Sequence, residues 1–211
     1  DGVEIGSTSS LSMAITGLDS ATEYAFKVEA GDAAGNWSAD GPSTTETTLD
    51  VTAPTWPAGS ILTATDISSD SLTLTWSTAT DDVAVTGYHL YQDGVLISTT
   101  TSTSLAVTGL AEATEYTFKV EAGDDAHNWS IDGPSTIVET LDVTAPIWPA
   151  GSSLTASSVS DISMTLTWNA AEDNVAVTMY VILQDGAEIA TVPASQLTYD
   201  VTGLSPFTEY G

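Results

Sequence analysis

The sequence predicts an all-β chain of antiparallel β-sandwiches repeated in tandem. Three observations carry this. The stretch from Thr114, TEYTFKVEAGDDAHNWSIDGPSTIVETLDVTAPIWPAGSSLT, nearly copies the stretch from Thr22, TEYAFKVEAGDAAGNWSADGPSTTETTLDVTAPTWPAGSILT, at an offset of 92 residues. Trp37 maps to Trp129, Trp56 to Trp148, Trp76 to Trp168 and Asp50 to Asp142, and each period of such a repeat must be one packing unit. Apolar and polar residues alternate with period two in short runs, and no stretch has a helical period. Asp-Gly pairs separate strand-like runs, a strong hairpin signal.

Residues 1–50 read as the second half of a module, with Asp1-Gly2 at the tip of a hairpin turn. Residues 51–142 form one complete module. Within it, SLTLTW at 71–76 has the alternation of a half-buried strand. YHLYQ at 88–92 is the next strand. Asp93-Gly94 closes it, because glycine accepts the positive φ of a tight hairpin turn, and VLI at 95–97 returns. SLAV at 104–107 is another short strand. YTFKVEA at 116–122 is the cleanest alternation, with Tyr116, Phe118, Val120 and Ala122 expected to point inward. TIVET at 136–140 closes the module. Pro54, Pro57 and Pro134 fall at strand edges or turns, where a missing N–H costs little. Residues 143–211 are the N-terminal part of a third module, ending as its Tyr210 strand begins. The outer pieces read as cuts in a longer array or, alternatively, as halves that complete one another between neighbouring chains, head to tail.

LTW at 74–76, GYHLY at 87–91, Gly109-Leu110 and TEYTFKV at 114–120 together resemble a fibronectin type III domain. DVAV at 82–85, and Gly123-Asp124 with Asn128-Trp129-Ser130, are similar to versions from bacterial surface proteins. The resemblance covers practically the whole chain. It implies an immunoglobulin-like sandwich, a core position for Trp76 and a tyrosine corner at Tyr116, whose phenol bonds back to nearby backbone. It also implies an extracellular setting, secreted or at the cell surface. It implies no single activity, because this fold hosts many roles.

The 211 residues are 42% hydrophobic, enough for about two domain cores. Twenty-nine acidic residues face two lysines and no arginine, a net charge of −27. Phosphate recognition needs clustered Lys and Arg, so nucleic acid is excluded as a partner. No run approaches the roughly 18 apolar residues of a membrane span, so no membrane insertion is expected in this segment. The absence of cysteine excludes disulfides and thiolate metal sites. Residue 1 does not read as a natural start, so targeting segments are expected outside this chain.

The acidic loops predict a cation site. In a sandwich of this kind the Asp81-Asp82 loop and the loop from Asp124 to Asp132 lie at the end where the preceding linker enters. Asp50 sits in that linker. Asp50, Asp81, Asp82, Asp124 or Asp125, and the Asn128 amide are therefore expected to converge. Calcium takes six to eight hard oxygens, and carboxylates supply them. The next junction repeats the set as Asp142, Glu172, Asp173 and Asn174. The competing reading is that Asp and Asn are simply good turn residues.

Trp56 and Trp148, each followed by proline, are expected to pack across module junctions; a surface platform for a glycan is the alternative. Trp37 and Trp129 carry the same two readings. Asn36-Trp37-Ser38 and Asn128-Trp129-Ser130 also match the N-glycosylation pattern. No catalytic constellation is visible. His89 and His127 are replaced by Val181 and Gly35 at the equivalent positions, and an oriented base needs its nucleophile in the same module. The segment is therefore expected not to be an enzyme. Short, proline-containing linkers hold modules at set spacing. The function expected first is an extracellular structural or adhesive stalk or filament, rigidified by calcium and touching neighbouring copies or modules head to tail. The alternative is a set of spacer modules in a secreted multidomain polysaccharide-degrading enzyme.

Overall fold

The computed structural model describes residues 2–211, so the turn tip expected at Asp1 lies outside the described residues. The chain is all-β. Its strands are β1 (Glu23–Lys27), β2 (Ser43–Thr47), β3 (Leu62–Thr65), β4 (Ser71–Trp76), β5 (Gly87–Gln92), β6 (Val95–Thr100), β7 (Ser104–Thr108), β8 (Glu115–Gly123), β9 (Ser135–Glu139), β10 (Leu154–Ser157), β11 (Ser163–Trp168), β12 (Met179–Gln184), β13 (Ala187–Pro193) and β14 (Thr198–Thr202). Every pairing is antiparallel. Among the described residues, no helix is long and apolar enough to cross a membrane.

The chain divides into two compact units. The first runs up to Leu110 and includes Thr114–Thr140. It contains a complete sandwich of two sheets, ordered β3-β4-β7 and β6-β5-β8-β9. Alternation decides which face of each strand is buried. Leu72, Leu74 and Trp76 of β4 face Tyr88 and Leu90 of β5 and Phe118, Val120 and Ala122 of β8, all buried. Leu74, Leu90, Phe118 and Val120 are fully enclosed. Trp76 meets Tyr88 edge to face, with ring centroids 5.7 Å apart, the geometry that the aromatic quadrupole favours. The expected Asp-Gly turn is present: Asp93 and Gly94 have φ of 50° and 80°, both positive as a type I′ hairpin requires. β8 reaches nine residues because it is paired on both edges, to β5 and to β9.

The same unit holds the first partial copy; among its described residues β1 and β2 are the only paired strands, with an isolated bridge between Gly31 and Trp37. Its SMAIT segment at 12–16 matches SLAVT of β7 in the repeat, yet forms no strand. Strand β7 owes its order to β4 alongside it, and the first copy has no equivalent of β4.

The second unit comprises Ala111–Ala113 and Leu141–Gly211. Its sheets are β10-β11-β14 and β12-β13, around Trp168, Tyr180, Ile182 and Val192. The repeat offset is 92 residues up to β13 and 94 from β14 onward: Ser71 pairs with Thr108, whereas Ser163 pairs with Thr202. Of the two extra residues, one lengthens β13 to seven residues against six in β6, and the other lies in the connection to β14. The tyrosine corner forms in both outer copies. The Tyr24 hydroxyl accepts a bond from the Asp19 N–H at 3.0 Å, and the Tyr210 hydroxyl from the Ser205 N–H at 2.8 Å. The third member, Tyr116, packs against the middle core.

Candidate functional site

Three of the expected ligands meet. One carboxylate oxygen from each of Asp50, Asp81 and Asp82 lies within 4.8 Å of the others. Local chain geometry puts them there. Asp81 follows the Thr55–Thr80 bridge that ties the linker to the start of the loop. Its Oδ1 accepts the N–H groups of Val83 and Ala84, both at 3.0 Å, which fixes the carboxylate at the head of a tight turn. Its Oδ2 is buried and has no hydrogen-bond partner. Asp50 Oδ1 accepts the Thr52 N–H at 3.0 Å.

Asp124 and Asp125 do not join this group. Asp124 turns into its own loop, where it accepts the Asn128 N–H at 2.8 Å and the Asn128 side-chain amide at 2.7 Å. Burial alone would push its carboxyl up; these bonds more than offset that and hold it below the ordinary value. Asp125 is exposed. Asn128 reaches the junction through its nitrogen, donating to the Asp50 carbonyl at 3.4 Å. It therefore presents a donor where a cation needs an oxygen.

The repeat of the cluster in the second unit is built differently. Asn174 stands where Asp82 does, and its Nδ2 donates to Asp142 Oδ1 at 3.2 Å and to Glu112 Oε1 at 3.4 Å. Glu112 also accepts the Val143 N–H at 3.3 Å and the Thr144 hydroxyl. An amide donor thus bridges carboxylates that would otherwise repel. Asp173 repeats the Asp81 turn, capping Val175 and Ala176 at 2.9 Å, and its Oδ2 is likewise buried without a partner. Glu172 contributes its backbone to the bridge with Ile147, while its side chain is exposed. Among the described residues, only Asp50, Asp81 and Asp82 form a carboxylate triad of this kind.

A polar chain near this end of the sandwich was not visible in the sequence. The Trp56 indole N–H donates to Ser130 Oγ at 2.9 Å. Ser130 Oγ also accepts the Ala122 N–H at 2.9 Å and donates to Glu121 Oε2 at 2.6 Å. Glu121, itself buried, accepts the Gly133 N–H at 3.1 Å and pairs with Lys119. Trp56 therefore packs within its own module, against Tyr88, and not across a junction as expected. Its half-buried indole finds both a ring partner in Tyr88 and an acceptor in Ser130 within the same module. The first copy repeats part of this chain, with Ser38 donating to Glu29 and Lys27 paired to Glu29.

His89 stacks on Trp129, with centroids 3.4 Å apart and planes 10° apart. The indole lies so close over Gly123 that a Cβ there would come within 2.7 Å of it, so glycine is required. Burial lowers the pKa of His89. Both amides of the Asn-Trp-Ser sequences cap loops: Asn128 as above, and Asn36 on Asp32 Oδ2 at 2.9 Å.

Comparison with known proteins agrees with this architecture. Residues 53–136 match the fibronectin type III domain family. The chain is similar to exoglucanase B of Cellulomonas fimi, at 34% identity over 98% of this chain and 20% of that protein. It is similar to chitinase A1 of Niallia circulans, at 38% identity over 67% of this chain and 21% of that protein. A third relative is endoglucanase B of Cellulomonas fimi, 31% identical over 98% of this chain and 21% of that protein. The chain spans about a fifth of the length of each of these relatives.

Proposed function

Residues 53–136 are a fibronectin type III domain, and from that premise we propose that the chain is a spacer segment of a larger extracellular polysaccharide-degrading enzyme. The observation that carries this reading is the pattern of the relatives. Glucanases and a chitinase match this chain over most of its length, while it spans only about a fifth of theirs. A segment shared by hydrolases of different names is suited to a job common to them all, such as holding other modules apart. The segment itself contributes no catalytic group on this reading. His89 is held in a stack, and the ordered carboxylates of Asp81, Asp124 and Asp173 cap their own loops. The stalk or filament reading uses the same modules but has no support from the relatives.

The test compares the complete natural polypeptide with a form from which this segment is excised. Hydrolysis of short soluble oligosaccharides is expected to be unchanged and hydrolysis of insoluble polysaccharide to fall. A natural polypeptide made of many further copies, without a hydrolase domain, overturns the spacer reading in favour of the stalk.

We also propose that the Asp50, Asp81 and Asp82 triad holds calcium, with backbone oxygens and water completing the shell. The partnerless, buried Asp81 Oδ2 within a three-carboxylate cluster favours this reading. Binding to the folded state alone raises stability by mass action. Millimolar calcium added after chelator is expected to raise the melting temperature of the chain, and Asp82→Asn, which copies Asn174, is expected to abolish the shift. No shift in the unmodified chain sinks the proposal.

A further inference from the structure

The outer face of the sheet β6-β5-β8-β9 carries an open groove of about 540 Å³, whose borders include Tyr91, Thr117, Lys119, Glu121, Ile131 and Ser135. All of them belong to the complete module. Leu90, Phe118 and Val120 point into the core, so alternation turns Tyr91, Thr117, Lys119 and Glu121 to the other face. Tyr91 stands opposite Lys119 across β5 and β8, and Lys119 opposite Ser135 across β8 and β9. Ile131 forms the far wall from the loop between β8 and β9, and is 87% exposed.

The fold does not need the aromatic rings on this face. β12 places Val181 and Leu183 where β5 places His89 and Tyr91. It still pairs with its neighbour in the same register, with the bulge at the equivalent point. In the complete module the rings form a row. His89 meets Tyr91 edge-on, with centroids 6.3 Å apart and planes at 81°, and is itself stacked on Trp129. The stack covers Trp129, so Tyr91 is the ring that borders the groove. Its neighbours hold it in place before any ligand arrives, which lowers the ordering cost of binding.

Charge decides what the groove accepts. The chain carries a net −27, yet the charged groups of this lining are one cation and one anion, Lys119 and Glu121, paired to each other. Lys119 also donates to the Ile131 carbonyl at 2.8 Å. Glu121 also accepts the Ser130 hydroxyl and the Gly133 N–H. An anionic ligand finds no free cation here and meets the negative field of the whole chain. A cation finds this carboxylate already committed. What is left is a ring, an aliphatic side chain and the exposed hydroxyls of Thr117 and Ser135, each able to donate and to accept. That set matches a ligand with apolar C–H faces and uncharged hydroxyls. We propose that the groove binds a stretch of neutral polysaccharide, one sugar ring lying against Tyr91 through dispersion and the ring's quadrupole. This rests on the spacer reading and deepens it: the spacer itself touches the polymer.

Titration of the 211-residue chain with cellohexaose and with N-acetylated chitohexaose, followed through amide chemical shifts, tests this. Saturable shifts are expected around Tyr91, Thr117, Lys119 and Ile131 with at least one of the two. Tyr91→Leu copies Leu183 and so keeps the fold; it is expected to weaken binding at least about fivefold. Ile131→Ala, at a site too exposed to threaten folding, is expected to weaken it about twofold. Hexagalacturonate, an anionic chain of the same length, is expected not to bind. The proposal is overturned by the absence of saturable shifts with both neutral oligosaccharides. It is equally overturned by binding that Tyr91→Leu leaves intact, or by hexagalacturonate binding as tightly. Each of those results leaves the spacer reading standing, because that reading is decided on the complete polypeptide by excision.

Discussion

The complete module and the partial copies on either side of it share sequence but not burial. Leu62 is 5% exposed and its repeat Leu154 is 65% exposed; Val120 is 0% exposed and Val28 68%; Val107 is 6% exposed and Ile15 38%. The residue types are the same or nearly so, and the local alternation is the same. What differs is the presence of the strands that lie alongside and opposite. β propensity expresses fit to a half-buried pleated surface, so it yields a strand only where neighbours supply that surface. SLAVT is a strand beside β4; SMAIT, with no such neighbour, is not.

This contrast can be broken most forcefully at the core. Phe118→Ala removes a fully enclosed ring and is expected to cost about 3–5 kcal/mol, whereas Phe26→Ala is expected to cost less than about 1 kcal/mol. Scanning calorimetry of the 211-residue chain measures both, and equal costs would remove the distinction. A matched pair follows: Leu62→Ala is expected to cost about 2–5 kcal/mol and Leu154→Ala to stay within about 0.5 kcal/mol of the parent, read from urea unfolding of the two variants side by side.

Smaller effects sharpen the comparison. Ser130→Ala leaves the Trp56 indole and the Ala122 N–H without their acceptor and is expected to cost about 1–3 kcal/mol. Ser38→Ala, where no tryptophan donates, is expected to cost less than half as much in the same assay. The smallest effect is a pH dependence confined to the middle module. Burial holds the His89 pKa below its ordinary value of 6.5. Below that pH the unfolded chain binds a proton that the folded chain resists. The stability contributed by neutral His89 is therefore complete above about pH 6.5 and is lost as pH falls through the lowered value. The melting temperature of the parent relative to His89→Phe is expected to drop between pH 7.5 and 5. A flat difference would mean that the stack does not disfavour the protonated ring.

The fold was legible because its signals are local. The alternation through Phe118 and Val120 and the Asp93-Gly94 turn each need only a few consecutive residues, and the repeat at an offset of 92 residues needs only the sequence compared with itself. The acidic triad was legible too, since Asp81 and Asp82 are adjacent and Asp50 lies in the linker entering the same end. Asp124 departs from the expected cluster because its loop path brings the Asn128 amide to 2.7 Å of its carboxylate. Glu112 was missed for the converse reason: it reaches Asn174 across 62 residues of sequence. The Trp56–Ser130 bond spans 74 residues, and no local pattern marks a serine as an indole acceptor. The two lysines were a usable signal. In a chain this acidic, their placement at equivalent positions 27 and 119 pointed to a specific anionic partner in each copy, and Glu29 and Glu121 are those partners.

Those lysines also decide how the folded chain meets a digestive protease. Trypsin cuts only after Lys or Arg, so the whole segment offers it two peptide bonds. One, after Lys119, lies inside β8, which is hydrogen-bonded on both edges. A protease must draw several residues in extended form into its own cleft, and here that means tearing a central strand from its sheet. The other, after Lys27, lies at the end of a strand with a neighbour on one side only. Cleavage at the first bond therefore reports opening of the sandwich, while cleavage at the second reports only fraying of a hairpin, and the two fragment masses separate the events in one digest.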